Sequence, residues 1–399
     1  MTPKNFALQK LVAQRGNQNQ TASPASPVLS RPAVQATPAT PSPPRSLNHL
    51  LRRPSPPRPA PNPWIPRDDY TDIKELEHGT EARTSLTKSN KTGKVYVVKR
   101  YTKYPVFVAN PSLRLGEQQL PNEAQVLLAA LRPHPNILRA FGCDLFGAKK
   151  ASLYSEYCSG GDLTDYVIAI GTSKRSAPES LALHVFISLA QALCYLHHGL
   201  RWDSEDKRYW QEPSHVSYVH GDVKCENVFL RWTSEAERLG LPDIVLGDLG
   251  ATQPENTFNG IPGTRGYQAP ECARIWALEK SDPNAFHVKR RAAGKLMTTA
   301  TDIFSLGQVI HLVGTSKLHA VGGDPMTEPV IHTRVGPVGV KLGKEPRYET
   351  QALIKAVKGC LQSDRDSRPV AKEGSLLDGV ALCREALKRM LAKEADSRP

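Results

Sequence analysis

His220-Gly221-Asp222-Val223-Lys224-Cys225-Glu226-Asn227 is followed, twenty-one residues after Asn227, by Asp248-Leu249-Gly250, and then by Gly263-Thr264-Arg265-Gly266-Tyr267-Gln268-Ala269-Pro270-Glu271. Just before Asp248, the apolar run Ile244-Val245-Leu246 reads as a brief buried strand. A carboxylate and a side-chain amide oxygen suit a hard divalent cation, and a lysine two residues after an aspartate suits a reaction that gathers negative charge. An isolated aspartate beside a strand is more often a cap or a surface charge. The ordered set is what carries weight.

In order and spacing, these three blocks resemble the HRDxKxxN, DFG and GTxxYxAPE motifs of the eukaryotic protein kinases. The resemblance implies an α+β, bilobal protein-kinase-like fold with a small strand-rich N-lobe and a larger helical C-lobe, using ATP and Mg²⁺. Phosphoryl transfer needs positioning and charge neutralisation more than covalent help. Asp222 would accept or orient the proton of the substrate hydroxyl, and Lys224 would neutralise the transferring group. Asn227 and Asp248 would hold the metal. Lys224 and the GTRGYQAPE block favour serine or threonine over tyrosine in the protein substrate.

Upstream, Val97-Val98-Lys99 is similar to the VAIK strand, so Lys99 is expected to contact the nucleotide phosphates and to pair with a helix glutamate. Glu123, which opens the helical stretch Glu123 to Leu131, is the expected partner, with Glu117 as the alternative. The segment from Tyr154 to Leu163 resembles the connection between the lobes. It would place backbone groups of Glu156 and Cys158 on the adenine edge and Asp162 on the ribose. Ser155 would line the back of the adenine pocket, where most members carry a bulkier residue, so an enlarged pocket is expected. Asp302, in Asp302-Ile303-Phe304-Ser305-Leu306-Gly307, would brace the catalytic loop, and Arg368 would pair with Glu271.

The sequence also departs from the family pattern. Where GxGxxG is expected, Leu76-Glu77-His78-Gly79-Thr80-Glu81-Ala82 keeps only Gly79 as a phosphate-cradling glycine. Side chains at Glu77 and Ala82 should loosen that cradle and weaken ATP binding or turnover. A pseudokinase, serving as a nucleotide-binding or scaffold module, is therefore the alternative reading. Gly221 replaces the arginine that meets an activation-loop phosphate in many members, so activity should not depend on phosphorylation at Thr252 or Thr257. Leu249 stands for phenylalanine and should pack against the helix carrying Glu123. Two insertions, Arg201 to Val216 and about Arg274 to Thr298, read as long polar surface loops, either disordered or specialised for a partner.

The rest of the chain frames this region. With 399 residues and 39% hydrophobic content, a sizeable core is affordable. The formal charge of +13 concentrates in residues 1 to 67, which carry nine lysines and arginines and no acid, so a nucleic-acid function is not expected. Residues 1–66, rich in Pro, Ser and Arg, are expected to be a disordered tail whose PxxP spacings offer ligands to SH3 or WW domains. The kinase domain is expected over 67–391, with an N-lobe to about 156 and a C-lobe from 157, and a C-terminal tail over 392–399. Core helices are expected over Leu181 to Leu196, with Val185, Leu189, Leu193 and Leu196 on one face, and over Ile303 to Val313.

Seven cysteines are scattered singly without zinc-ligand spacing, as in a reducing compartment. There is no run of eighteen or so apolar residues, and the N-terminus lacks the apolar core of a secretory signal. A soluble cytoplasmic or nuclear protein with no membrane attachment is expected. A mitochondrial transit peptide is the lesser reading, since its amphipathic helix would be broken by the prolines.

Overall fold

The computed structural model describes residues 69–78, 82–102, 114–115, 118–146, 150–172, 177–255, 263–273, 294–315, 330–333, 336–339 and 348–396, together with Lys289 and Ala292. The expectations for the N-terminal tail, Gly79, Thr257 and most of the second insertion lie outside these residues.

The N-lobe is a five-stranded antiparallel sheet, in the order β1 (Tyr70–His78), β2 (Ala82–Ser89), β3 (Val95–Tyr101), β5 (Ala151–Ser155) and β4 (Ala140–Leu145). The turn at Asn90-Lys91-Thr92 reverses the chain between β2 and β3, its Gly93 N–H donating to Ser89 O (2.9 Å). Alternation along β3 sends Lys99 and Tyr101 to one face and Val98 and Arg100 to the other. Tyr101 joins Ala82, Leu120, Ala124, Cys143, Ala151 and Leu153 in a small apolar cluster. The opposite face is mixed: Val98 is buried and the rings of Tyr70, Tyr96, Phe141 and Tyr154 pack on one another, while Arg100 pairs with Asp72 (2.8 Å) and donates to Ser85, and Thr87 donates to Asp72 (2.7 Å).

Between the third and fourth strands lies α1 (Asn122–Gln125), continued by a π-helical turn over Val126–Ala130. The glutamate expected to open this helix therefore sits in its first turn.

The C-lobe is built round α3 (Glu179–His198), which follows α2 (Leu163–Thr172). Sequence periodicity gives α3 one apolar face, yet sixteen of its residues are buried. Neighbours on several sides account for this: it packs against β9 (Asp243–Leu246), which pairs with β8 (Val228–Arg231), against α4 (Thr299–Thr315), itself packed on α5 (Gln351–Cys360), and against α6 (Leu376–Asp396). A helix apolar nearly all round marks the centre of a core. Among the described residues, α3 is the one helix long and apolar enough to cross a membrane, and most of it is covered by protein.

Two expectations are corrected here. The first insertion is a docked hairpin, β6 (Leu200–Asp203) pairing with β7 (Arg208–Gln211), and not a loose loop. Its side chains hold it down: Trp202 packs edge-on to Tyr209 (5.0 Å) and under Arg384 of α6 (4.3 Å), and Arg201 lies over Tyr195 (5.0 Å). Glu212 also pairs with Arg132 (2.6 Å), so the hairpin grips the loop that follows α1. At the C-terminus, α6 continues through Asp396, so residues 392–396 belong to the last helix and not to a separate tail.

Candidate active site

The site forms where the two lobes face each other. Lys99, in the middle of β3, reaches Glu123 Oε2 and Asp248 Oδ1, each at 2.8 Å. Glu123 is thus the partner, held also by the Tyr101 hydroxyl (2.7 Å). Burial alone would depress the Lys99 ammonium, but Glu123 and then Asp248 outweigh it and hold its pKa well above the ordinary value. The same ion pair holds Asp248 down at about 2, against the upward push of burial. Asp248 sits at φ +53, in the left-handed region that aspartate tolerates better than most residues. The ion pair offsets that backbone cost.

Below, a hydrogen-bonded triangle fixes the catalytic loop. Lys224 pairs with Asp222 Oδ2 (2.9 Å) and donates to Thr264 Oγ1 (2.9 Å), and that hydroxyl donates to Asp222 Oδ1 (2.7 Å). Asn227 Nδ2 donates to the Asp222 carbonyl (2.8 Å), which fixes the amide so that its Oδ1 is the oxygen available to a metal. Asp302 braces the loop as expected, accepting the N–H of His220 (2.7 Å) and of Gly221 (3.0 Å). His197 Nε2 also donates to it (3.0 Å).

Gly221 has φ +80, and a Cβ on Gly263, itself at φ +54, would come within 2.8 Å of Gly221 O. Glycine at both positions lets the activation segment approach the catalytic loop this closely. Away from the candidate catalytic groups, Arg368 grips Glu271 through its two terminal guanidinium nitrogens (2.8 and 2.7 Å) and lies over the Phe304 ring (5.1 Å).

At the connection between lobes, the Glu156 N–H is used by Arg139 O (2.9 Å), and its carboxylate accepts from Arg139 N (2.9 Å) and Arg231 (2.9 Å). The Glu156 carbonyl and the Cys158 N–H are the groups left for an adenine edge. Burial pushes the Cys158 thiol up to about 12. Ser155 is buried and donates to Val97 O (3.3 Å), leaving little side-chain bulk at the back of the cleft. Asp162 has a role that the sequence reading did not give it: it is buried, and its Oδ1 accepts the Asp165 N–H (3.0 Å) at the start of α2. Its contact with a ribose rests on the resemblance alone.

Sequence reasoning missed Tyr101, Thr264, His197 and Asn122. Thr264 lay inside a quoted motif with no role assigned. Tyr101 stands two residues after Lys99 and Asn122 immediately before Glu123, so adjacency was a signal, but the partners of Tyr101, Asn122 and His197 lie 22, 130 and 105 residues away and no spacing rule reveals them. Thr252, named as a candidate phosphate acceptor, is fully buried and donates to His220 O (3.3 Å), so it is an internal anchor and not an accessible acceptor.

Comparison with known proteins settles the family. The protein kinase domain model matches residues 70–375. The chain belongs to the protein kinase family. It is 26% identical over 257 residues, 63% of this chain, to leaf rust 10 disease-resistance locus receptor-like protein kinase-like 1.2 of Arabidopsis thaliana. It is also 24% identical over 337 residues, 82% of this chain, to the mouse (Mus musculus) serine/threonine-protein kinase Nek4, and 28% identical over 208 residues, 47% of this chain, to the G2-specific protein kinase fin1 of Schizosaccharomyces pombe. The matched stretches make up 35%, 35% and 27% of those relatives, so this chain spans about a third of their length.

Protein kinases as a family use ATP and a divalent metal, and the donors present fit that use. Asp248 and Asn227 offer one charged and one neutral oxygen, and Mg²⁺ takes its remaining ligands from water and phosphate. Among the described residues no group of three or more His, Cys, Asp or Glu side chains could hold a metal unaided.

Proposed function

We propose that this kinase domain is active and transfers the γ-phosphate of ATP to serine or threonine hydroxyls of a protein substrate. The observation that carries the reading is the position of Lys99, 2.8 Å from both Glu123 and Asp248, above an Asp222 whose two oxygens are aligned by Lys224 and Thr264. ATP with Mg²⁺ would supply the phosphoryl group and the counter-charge to it. The chain's own residues do the rest. Asp222, pinned on both oxygens, is set to hold the proton of an incoming hydroxyl, and Lys224 stands beside it with its pKa raised because Asp222 outweighs the depressing effect of burial. A module released from catalysis has no chemical need for Lys99, Asp222, Asn227 and Asp248 together.

The test is incorporation of label from ATP and Mg²⁺ into a generic basic protein by the purified full chain, compared with Asp222→Asn and Asp248→Asn. Label from wild type alone supports the reading. A second reading, a pseudokinase that binds nucleotide or serves as a scaffold, is favoured by the loss of two of the three loop glycines, at Glu77 and Ala82. ATP-induced thermal stabilisation with no incorporation by any form would select it.

The small Ser155 side chain supports an enlarged adenine pocket. ATP-site inhibitors with bulky substituents should bind wild type better than Ser155→Met; equal binding would refute this. The Pro-rich tail supports SH3 or WW partners. Seven free, buried cysteines support a reducing compartment, the cytoplasm or nucleus.

A further inference from the structure

Asn122 is the first residue of α1 and is buried, immediately before Glu123. Its Nδ2 donates to Gly250 O (2.9 Å) and to Thr252 O (2.8 Å). Both acceptors are carbonyl oxygens, so the amide can face them only with its nitrogen. The Asn122 Oδ1 on the far side is buried with no hydrogen-bond partner among the described residues. A side chain kept in place at the expense of its own buried acceptor calls for a role beyond local solvation.

That role is visible in what the two carbonyls belong to. Leu249–Ala251 is a 3-10 turn that starts from Asp248, and the Thr252 N–H closes it on Leu249 O (3.1 Å). The Thr252 hydroxyl then donates to His220 O (3.3 Å), at the start of the catalytic loop. Three elements therefore meet through two side chains: the helix that carries Glu123, the turn that carries Asp248, and the loop that carries Asp222. Gly221 brings no cation to this junction. Asp248 occupies a left-handed backbone conformation that its surroundings must hold in place.

We infer that Asn122 is a positioning residue for phosphoryl transfer: together with Thr252 it fastens the Asp248 turn to α1 and to the catalytic loop, so that the site assembles without a phosphate on the activation segment. The inference rests on the kinase reading for its kinetic consequence but not for its structural one.

Three measurements on the phosphatase-treated full chain test it: kcat and ATP KM with a generic basic protein, amide hydrogen exchange over residues 249–252, and melting temperature. The variants are Asn122→Asp, which keeps the shape but offers acceptors where donors are needed, Asn122→Leu, and the pair Thr252→Val and Thr252→Ser. Both Asn122 variants should lower kcat by about tenfold or more, as a small misplacement of reacting groups does, with ATP KM changing less than about threefold. Exchange over 249–252 should rise while the melting temperature falls only slightly. Thr252→Ser should recover most of the rate lost in Thr252→Val.

Unchanged kcat and exchange in the Asn122 variants would overturn the proposal. So would a kcat loss that merely follows a collapse in melting temperature, or a wild type silenced by the phosphatase. Exchange needs no turnover, so a wild type inactive before phosphatase treatment would defeat the kinase reading while the fastening is still judged on exchange.

Discussion

The catalytic loop below the cleft and the β1–β2 hairpin above it both depart from the family pattern, and among the described residues only the lower departure is compensated. Below, Gly221 replaces an arginine, and the surroundings have closed around the change: Asp302 takes its N–H, Gly263 packs against its carbonyl, and Thr252 and Asn122 tie the neighbouring turn down. Above, Glu77 lies in β1 opposite Thr84 and His78 opposite Arg83, next to a shift in strand register between Glu75 and Glu77. No comparable substitute for the phosphate-binding glycines is built from the described residues. On the proposed kinase reading, the contrast gives the two halves different tasks: the lower half sets the chemistry, and the upper half limits how tightly the nucleotide is held.

The harshest way to break this contrast is to remove the group that joins the halves. Lys99→Met should lower kcat/KM by roughly 10²–10³-fold, since a positioned cation at developing charge is lost. Its effect on stability should depend on pH. Lys99 depresses Asp248 to about 2 from an ordinary value of 3.8, so the stabilisation is complete above about pH 4 and is lost as pH falls toward 2. The stability gap between wild type and Lys99→Met, from urea melts, should therefore narrow across that interval. A gap that widens on acidification would contradict the ion pair.

Next in size, Arg368→Ala removes one member of a buried pair and leaves Glu271 unpaired in the lower half. It should cost about 3–5 kcal/mol of stability, measured by chemical denaturation. A loss under about 1 kcal/mol would place this pair with the weak surface bridges instead.

A milder change sharpens the contrast from above. Restoring glycine in the double variant Glu77→Gly, Ala82→Gly should lower ATP KM several-fold, about 1 kcal/mol of binding, with kcat little altered. A rise in kcat with ATP KM unchanged would mean that the upper half governs the chemistry after all.

The smallest effect is chemical. Burial raises the Cys158 thiol to about 12, and the other six thiols are buried and raised as well. At pH 8 the thiolate fraction of Cys158 is then on the order of 10⁻⁴. Native protein should give no fast-reacting thiol with a maleimide or disulfide reagent, whereas denatured protein should give seven. Rapid labelling of Cys158 in the native state would show that the connection between the lobes opens.

How far the site could be read in advance depended on how local each requirement is. Asp222, Lys224 and Asn227 fall within six residues of chain, so their spacing alone betrayed a common purpose. Lys99 was legible because a strand ending in lysine is a short pattern. Identifying Glu123 as its partner took coordinates, because in the sequence Glu117, which lies outside the described residues, also precedes the helical stretch. Asp162 was read as a ligand group and its helix-capping role was not, since a carboxylate before a helical stretch suits both jobs. The first insertion looked like loop because its polar residues outnumber its apolar ones. Trp202 and Tyr209 pack on each other within the hairpin, its own Arg201 lies over Trp210 and over Tyr195 of α3, and Arg384 of α6 lies over Trp202, so the anchoring partners lie on other elements.

By itself the chain's order of residues pointed to the family, the lobes and the four candidate catalytic side chains, because each motif is a short pattern within a few residues. Only the folded arrangement decided that Thr252 is an anchor, that Asn122 spans helix and turn, and that α3 is buried on nearly every side. The side-chain contacts among them join groups 32 to 130 residues apart at 2.8 to 3.3 Å, and a one-dimensional pattern carries no record of such meetings.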